Sequence, residues 1–259
     1  MDRDWLIPDW PAAAGVRAVC TTRQGGCSLP PYRSLNLGDH VGDDPAAVAS
    51  NRAAFSAALR ARPVFLQQVH GCGVARLEME TPEGTPADAC IATEPGLACT
   101  IMVADCLPVL FTDTAGSVVA AAHAGWRGLA GTGGRGILEH AVQAFREAPH
   151  LAGAGTAGEI LAWLGPCIGA QAFEVGDEVK QAFELADRAA GALFQPHADG
   201  KWLADLAGLA RLRLMALGIE RVYGNDGTAA WCTVSNPSRF FSHRRDRVSG
   251  RFAASIWRA

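Results

Sequence analysis

The chain lacks any run long enough to cross a bilayer. Its longest apolar stretch, Leu97–Val103, is stopped by Asp105, whereas a spanning helix needs about 20 apolar residues. It also lacks a charged leader followed by an apolar core. Met1-Asp-Arg-Asp runs only into Trp5-Leu-Ile before Pro8, so no secretory signal peptide is expected. There is no internal repeat, low-complexity tract or linker. Charge imbalance is small, with a formal net charge of -3 and a pI near 6.2, which speaks against a general binder of nucleic acid or membrane surface. Eight cysteines form no Cys-x-x-Cys pair. A zinc ribbon is therefore excluded, and reduced thiols in a cytoplasmic protein are expected. Any metal site must be assembled from residues distant in sequence.

What is present is an ordinary globular composition, 259 residues with 49% hydrophobic and 19% charged, enough for one large domain or two small ones. Residues 1–15 read as a lead-in, and Val16–Thr22 as a strand opening into Arg23-Gln-Gly-Gly-Cys-Ser. Asp44-Pro45 starts a helix through about Arg60, with Asp44 as N-cap and Pro45 in the first turn. From Pro63 the pattern changes to short β-rich runs: 64–69, 74–78, 89–93, 98–104, 108–112 and 117–122. Several are continuously apolar, the mark of strands covered on both faces. Helices are predicted at about 134–147, 175–187 and 203–217, the last ended by Gly218. Strands are predicted at 159–164, 221–223 and 252–257. The reading is one α/β domain over residues 1–259, with helices covering a mixed sheet system.

Three of these strands end in metal-ligating residues: His70 in Gln67-Gln-Val-His-Gly, Cys106 after Asp105, and His123 in His-Ala-Gly-Trp-Arg-Gly. Intervals of 36 and 17 residues suit neighbouring strands. If the three ends meet, two imidazoles and a thiolate suit Zn²⁺ and leave a fourth position open, as in catalytic sites. Such an ion lowers the pKa of a bound water. Asp105 and Asp88 are candidates to orient a ligand or move a proton. The plainer alternative is that Cys106 is a small core residue and His70 a turn residue.

A second feature is anion recognition. Arg127 and the turn at 131–136 precede a predicted helix, where free amides and the dipole favour phosphate; no Gly-Lys-Ser/Thr follows, so this is not a Walker loop. Five arginines within 239–251, among them Arg244 and Arg245, are interleaved with Phe240, Phe241 and His243. They form either a solvated loop or a pocket wall that stacks on a base or sugar.

Gln68-Val-His-Gly, Ala104-Asp-Cys-Leu-Pro-Val-Leu, His123-Ala-Gly-Trp-Arg-Gly and Phe240-Phe-Ser-His-Arg-Arg-Asp stand in this order. Together they resemble the purine nucleoside phosphorylase family formerly labelled laccase-domain or multicopper polyphenol oxidase. Its bacterial members include a peptidoglycan editing factor. Thr21-Thr-Arg-Gln-Gly-Gly, Ser34-Leu-Asn-Leu-Gly and Ala162-Trp-Leu-Gly-Pro-Cys-Ile-Gly extend the resemblance over nearly the whole chain. Val103 departs from it, since threonine is more usual there. The resemblance implies an α/β/β/α layered fold with mixed sheets, similar to some cysteine hydrolases, and a zinc site of His70, Cys106 and His123. With Asp105 these are the candidate catalytic residues; Arg23, Asn36, Asp88, Arg127, Arg244 and Arg245 are candidates for substrate or phosphate.

The implied activity is phosphorolysis of adenosine, inosine and methylthioadenosine to the free base and ribose or methylthioribose 1-phosphate, with adenosine deamination. The partners are a nucleoside and phosphate, with no nucleic acid or membrane; no oligomeric state is specified. One alternative is an amidase editing a muramyl peptide precursor, using zinc or the Cys106 thiolate. Copper polyphenol oxidation is disfavoured. A multicopper site needs on the order of ten histidines, typically in His-x-His pairs, and this chain has 7 with no such pair.

Overall fold

The change of pattern near Pro63 becomes two stacked sheets. The structure, a computed structural model, describes residues 4–148 and 158–259; residues 1–3 of the lead-in lie outside them. In chain order come β1 (Val16–Cys20), α1 (Pro45–Leu59), β2 (Arg62–Phe65), β3 (Val74–Arg76), β4 (Ala89–Ala92), β5 (Leu97–Val103), β6 (Leu107–Asp113) and β7 (Val119–Ala124). Then follow α2 (Trp126–Ala130), α3 (Ile137–Arg146), β8 (Ile160–Leu164), β9 (Glu174–Val175), α4 (Asp177–Glu184), β10 (Phe194–Pro196) and β11 (Trp202–Ala204). Last are α5 (Leu206–Ala216), β12 (Val222–Gly224), α6 (His243–Asp246) and β13 (Phe252–Arg258).

One sheet has the order β1-β13-β5-β2, a second β12-β8-β6-β7-β4-β3, and a small third β10-β11-β9. Both large sheets are mixed. β2 runs parallel to β5, β3 to β4 and β12 to β8, and the remaining neighbours are antiparallel.

Strand β5 shows why this sequence stacks them. Leu97, Cys99, Ile101 and Val103 enter an apolar layer with Leu110, Val119, Ala121 and Trp163 of the second sheet. The alternate residues Ala98 and Met102 pack with Phe55 and Leu59 of α1. A strand covered on both faces needs no polar side, and all of β5 is buried. On the outer face of the second sheet, Ile91, Val109, Phe111 and Ala120 share a cluster with Leu138 and Val142 of α3 and Leu209 and Leu214 of α5. The layers are thus helix, sheet, sheet, helix, as the resemblance implied.

Several boundaries differ from the sequence reading. β2 stops at Phe65 because the following residues bond elsewhere: Gln67 bridges to Pro86, and the Gln68 amide clasps Met102 of β5 through two 2.8 Å bonds. β7 runs on to Ala124, so His123 lies inside a strand and not beyond its end. Helix α3 starts at Ile137, after a turn in which Gly131, Gly133 and Gly134 all take positive φ. The small third sheet and α2 had no counterpart in the sequence reading, and the arginine-rich loop contains the one-turn helix α6. Among the described residues no helix is long and apolar enough to cross a membrane.

Candidate metal centre and its cavity

His70, Cys106 and His123 come together where the two sheets meet. Their ligand atoms lie within 4.8 Å of one another. Cys106 Sγ stands 3.8 Å from His70 Nε2, and the two imidazoles meet edge to face with centroids 4.7 Å apart. Topology explains the convergence. Cys106 occupies the crossing from β5 in one sheet to β6 in the other, while His70 follows β2, the neighbour of β5. Pairing of Leu107 with Ala124 sets Cys106 beside Gly125 just past the register. A Cβ on Gly125 would stand 2.9 Å from His70 Cδ2 and 3.0 Å from Cys106 Sγ, which leaves no room for a side chain.

Asp88 locks this arrangement from behind. It is fully buried. Its Oδ1 accepts from the His70 amide at 2.9 Å and from His123 Nδ1 at 2.8 Å. Its Oδ2 accepts from the amides of Gly71 at 2.7 Å and Val69 at 3.2 Å. Three amides aimed at one carboxylate hold a turn in which His70 takes φ 60, an uncommon value for a residue with a side chain. The proton of His123 is thereby assigned to Nδ1, and Nε2 keeps its lone pair for a ligand.

Burial would raise the Cys106 thiol, but the charge and hydrogen bond of His123, together with His70, bring its pKa down to about 6. Burial would likewise lower His123, and the Cys106 charge with Asp88 raises it to about 9. For Asp88, burial pushes upward, but bonds from His123, Gly71 and Val69 hold it below its ordinary value. Without metal the cluster is therefore a thiolate beside an imidazolium at neutral pH. In chelator-treated protein, iodoacetamide should alkylate Cys106 ahead of the other cysteines at pH 7. The rate should fall as pH drops through about 6, because only the thiolate attacks. A rate that instead rises only above pH 8 would contradict the pairing.

The donor set fits a metal ion. Tetrahedral coordination of zinc by sulfur and imidazole nitrogen separates those atoms by about 3.6 Å, close to the 3.8 Å found between Cys106 and His70. Cys167 does not close the site. Its sulfur is buried beside Cys232 and accepts from Asn225 Nδ2 at 3.4 Å.

The three residues line a cavity of about 470 Å³, in the range of small-molecule sites. Arg244, Arg247, Arg251, His40 and His243 supply its basic wall, and Trp126 and Phe173 its aromatic faces. Of the expected substrate contacts, only Arg244 lines it. Asp105 also lines the cavity, yet its carboxylate accepts from Thr233 Oγ1 and the Arg244 amide, both at 2.6 Å. It positions α6 and is not a free base.

The other candidates are engaged elsewhere. Arg23 bonds the carbonyls of Arg33 and Pro237 and lies over the Phe241 ring. Asn36 is buried, bonding Gly38, Asp43 and the Arg251 amide. Arg245 bonds the Thr233 and Phe240 carbonyls and Asp246. Arg127 is exposed over Trp126. The turn at 131–136 is no anion seat: Glu139 already accepts from the Gly136 amide at 2.7 Å, and Arg213 bonds both Glu139 and the Gly134 carbonyl. The sequence reading missed Gln68, His40, Trp126 and Phe173 as cavity or support residues, whereas Arg247 and Arg251, two of the five arginines read as a solvated loop or a pocket wall, do line the cavity. Gln68 and Phe173 were signalled only as members of the motifs Gln68-Val-His-Gly and Phe173-Glu-Val-Gly that carry the resemblance.

Comparison with known proteins agrees with this fold. The family model for the multi-copper polyphenol oxidoreductase laccase matches residues 17–259. Purine nucleoside phosphorylase YfiH of Escherichia coli is 49% identical over 97% of this chain and 98% of its own. Purine nucleoside phosphorylase PA4543 of Pseudomonas aeruginosa is 49% identical over 98% of each. Among solved structures, the Neisseria meningitidis protein NMB0706 superposes with a TM-score of 0.88 at 46% identity, covering 99% of both chains. YlmD from Geobacillus stearothermophilus gives 0.85 at 32%, covering 100% of this chain and 97% of its own. With these motifs, this fold and these relatives, the chain belongs to the multi-copper polyphenol oxidoreductase laccase family, whose curated relatives include purine nucleoside phosphorylases.

Proposed function

We propose that the protein is a metal-dependent purine nucleoside phosphorylase. It splits adenosine, inosine or methylthioadenosine with phosphate into the free base and ribose or methylthioribose 1-phosphate, and it also deaminates adenosine. The observation that carries this reading is that a three-donor His-Cys-His cluster shares one cavity with three arginines and two aromatic side chains. The names of the curated relatives support it.

His70, Cys106 and His123 would hold the ion, with zinc favoured by the sulfur and imidazole donors and copper as the alternative. When bound it supplies Lewis acidity at the cavity wall. Trp126 and Phe173 offer faces on which a purine stacks. The arginines offset the charge of phosphate, while His40 and His243, outside the cluster, stand where a proton can pass to the departing base. Metal-replete protein given inosine and phosphate should release hypoxanthine and ribose 1-phosphate in equal amounts, with none formed when phosphate is omitted. No product from metal-replete protein would remove the assignment.

One observation favours a second reading. Cys106, His123 and Asp88 stand in the order of nucleophile, base and orienting acid, with His123 Nδ1 on Asp88 at 2.8 Å, the arrangement of a thiol amidase acting on a muramyl peptide. An acyl adduct at Cys106 in metal-free protein would support it; amide cleavage only with zinc would refute the thiol route. Copper polyphenol oxidation is disfavoured by the donor count. The described residues contain one such ligand cluster, with two histidines, against on the order of ten histidines for a multicopper centre.

A further inference from the structure

We infer that Arg247 is the seat of inorganic phosphate in this cavity, with Arg244 and Arg251 as the fixed basic wall behind it; this rests on the phosphorolysis reading. The three arginines on the cavity differ in what their side chains already do. Arg244 donates to the carbonyls of Ala172 at 3.2 Å and Glu174 at 3.1 Å, and its guanidinium lies 5.8 Å from the Phe173 ring centroid. Arg251 donates to the carbonyls of Ser249 and Gly250, and its stem packs where a Cβ on Gly38 would fall. Arg247, an exposed residue, lines the same cavity, and its guanidinium bonds no described residue. A free fork of donors beside two anchored cations is suited to a tetrahedral oxyanion.

The backbone points the same way. Arg247 has φ 60 and ψ -60, and the Val248 amide donates to the Asp246 carbonyl at 2.7 Å. That is a γ-turn of the positive-φ kind, rare and strained for a residue with a side chain. A glycine would hold this turn without strain. Strain of this sort persists where the surroundings impose it, and it clusters at ligand sites. Here the surroundings are visible: Ser242 caps α6 by accepting from the Arg245 amide, and Asp105, next to Cys106, accepts from the Arg244 amide. The short helix carrying the arginines is thus tied to the loop that carries the cluster cysteine. An oxyanion could reach this seat as free phosphate or as the 5′-phosphate of a nucleotide. The co-substrate of phosphorolysis is the former.

Binding of inorganic phosphate should be measured directly by calorimetry on metal-replete wild type and on Arg247→Gln, Arg247→Lys and Arg247→Gly. The Gln and Gly variants should weaken phosphate about 10- to 100-fold, the effect of losing a charge-assisted bond. The Lys variant should keep part of the affinity, and Arg247→Gly should melt no lower than wild type because it relaxes the turn. In steady-state kinetics the KM for phosphate should rise in Arg247→Gln while that for inosine stays within about twofold. Unchanged phosphate affinity, or a loss confined to inosine 5′-monophosphate, would overturn the assignment. Wild type that binds phosphate through Arg247 yet forms no hypoxanthine would leave the seat standing and sink the phosphorolysis reading instead.

Discussion

Cys106→Ser is expected to weaken metal binding by about 10²–10³-fold and to lower any metal-dependent turnover at least as much. Structural zinc bound by four protein ligands is held with about 10–16 kcal/mol, so one thiolate among three protein donors carries roughly 3–4 kcal/mol of it. A serine hydroxyl is not ionised at neutral pH and cannot replace it. The fold should be unaffected, because Cys106 is only half-buried and the exchange removes no apolar volume. His123→Ala should show a similar loss of metal, whereas alanine at the buried Cys167, which is not one of the three donors, should leave metal binding intact. Isothermal titration with zinc, with circular dichroism as the folding control, distinguishes these outcomes. Equal zinc affinity in Cys106→Ser and wild type would remove Cys106 from the donor set.

Asp88→Ala is expected to strike both stability and metal affinity. The substitution strips the partner from the amides of Val69, His70 and Gly71 and from His123 Nδ1, at a site without solvent exposure. Each unsatisfied buried donor costs about 1–3 kcal/mol; since the turn relaxes as a unit, a total of about 3–5 kcal/mol is expected. For a chain of this size that is roughly 6–20 °C in Tm. Zinc affinity should fall a further 10- to 100-fold because the second imidazole loses its orienting acceptor.

Asp88→Asn is informative because it keeps the shape. Its NH2 must face either the Val69 and Gly71 amides or His123 Nδ1, and the second choice forces the His123 proton onto Nε2. The folded-state pKa of Asp88 lies below its unfolded value. Its stabilisation is therefore complete above the ordinary carboxylate pKa of about 4 and is lost as pH falls further, through the folded value. Wild type should lose stability on that acid limb more steeply than Asp88→Ala. Identical acid limbs would show that Asp88 contributes no such linkage.

Much of the layered fold was legible because burial on both faces leaves a direct mark. The continuous apolar runs of β5 and β6 have no polar face to hide, and Asp44-Pro45 announces α1 through its cap. The cluster was legible because His70, Cys106 and His123 each stand close to the end of an apolar run, with glycine or aspartate within two residues. The exact ends were not. Gln67 and Gln68 fall inside the apolar run read at 64–69, yet the Gln67 backbone pairs with residues 85–87 and the Gln68 side chain bonds Met102 of β5.

The turn at 131–136 read as a free anion seat for a different reason. Glycines at 131, 133, 134 and 136 look like a phosphate turn, but Glu139 stands three residues past Gly136 and its carboxylate already takes that amide; a capping pattern was there to be seen. Among the arginines of 239–251, composition cannot tell which are engaged. Arg245 grips the Thr233 and Phe240 carbonyls, while the side chain of Arg247, two residues on in the turn at φ 60, bonds no described residue. Phe173 reaches the cavity from Phe173-Glu-Val-Gly, a motif that carries the resemblance but whose pattern does not tell which cavity it lines.

X-ray absorption at the metal edge of protein purified without added metal tests the central claim most directly. The account predicts one zinc per chain, surrounded by one sulfur, two imidazole nitrogens and one further light atom, with the sulfur contribution absent from Cys106→Ser. Two or more sulfurs, no sulfur, or several coppers per chain would contradict it.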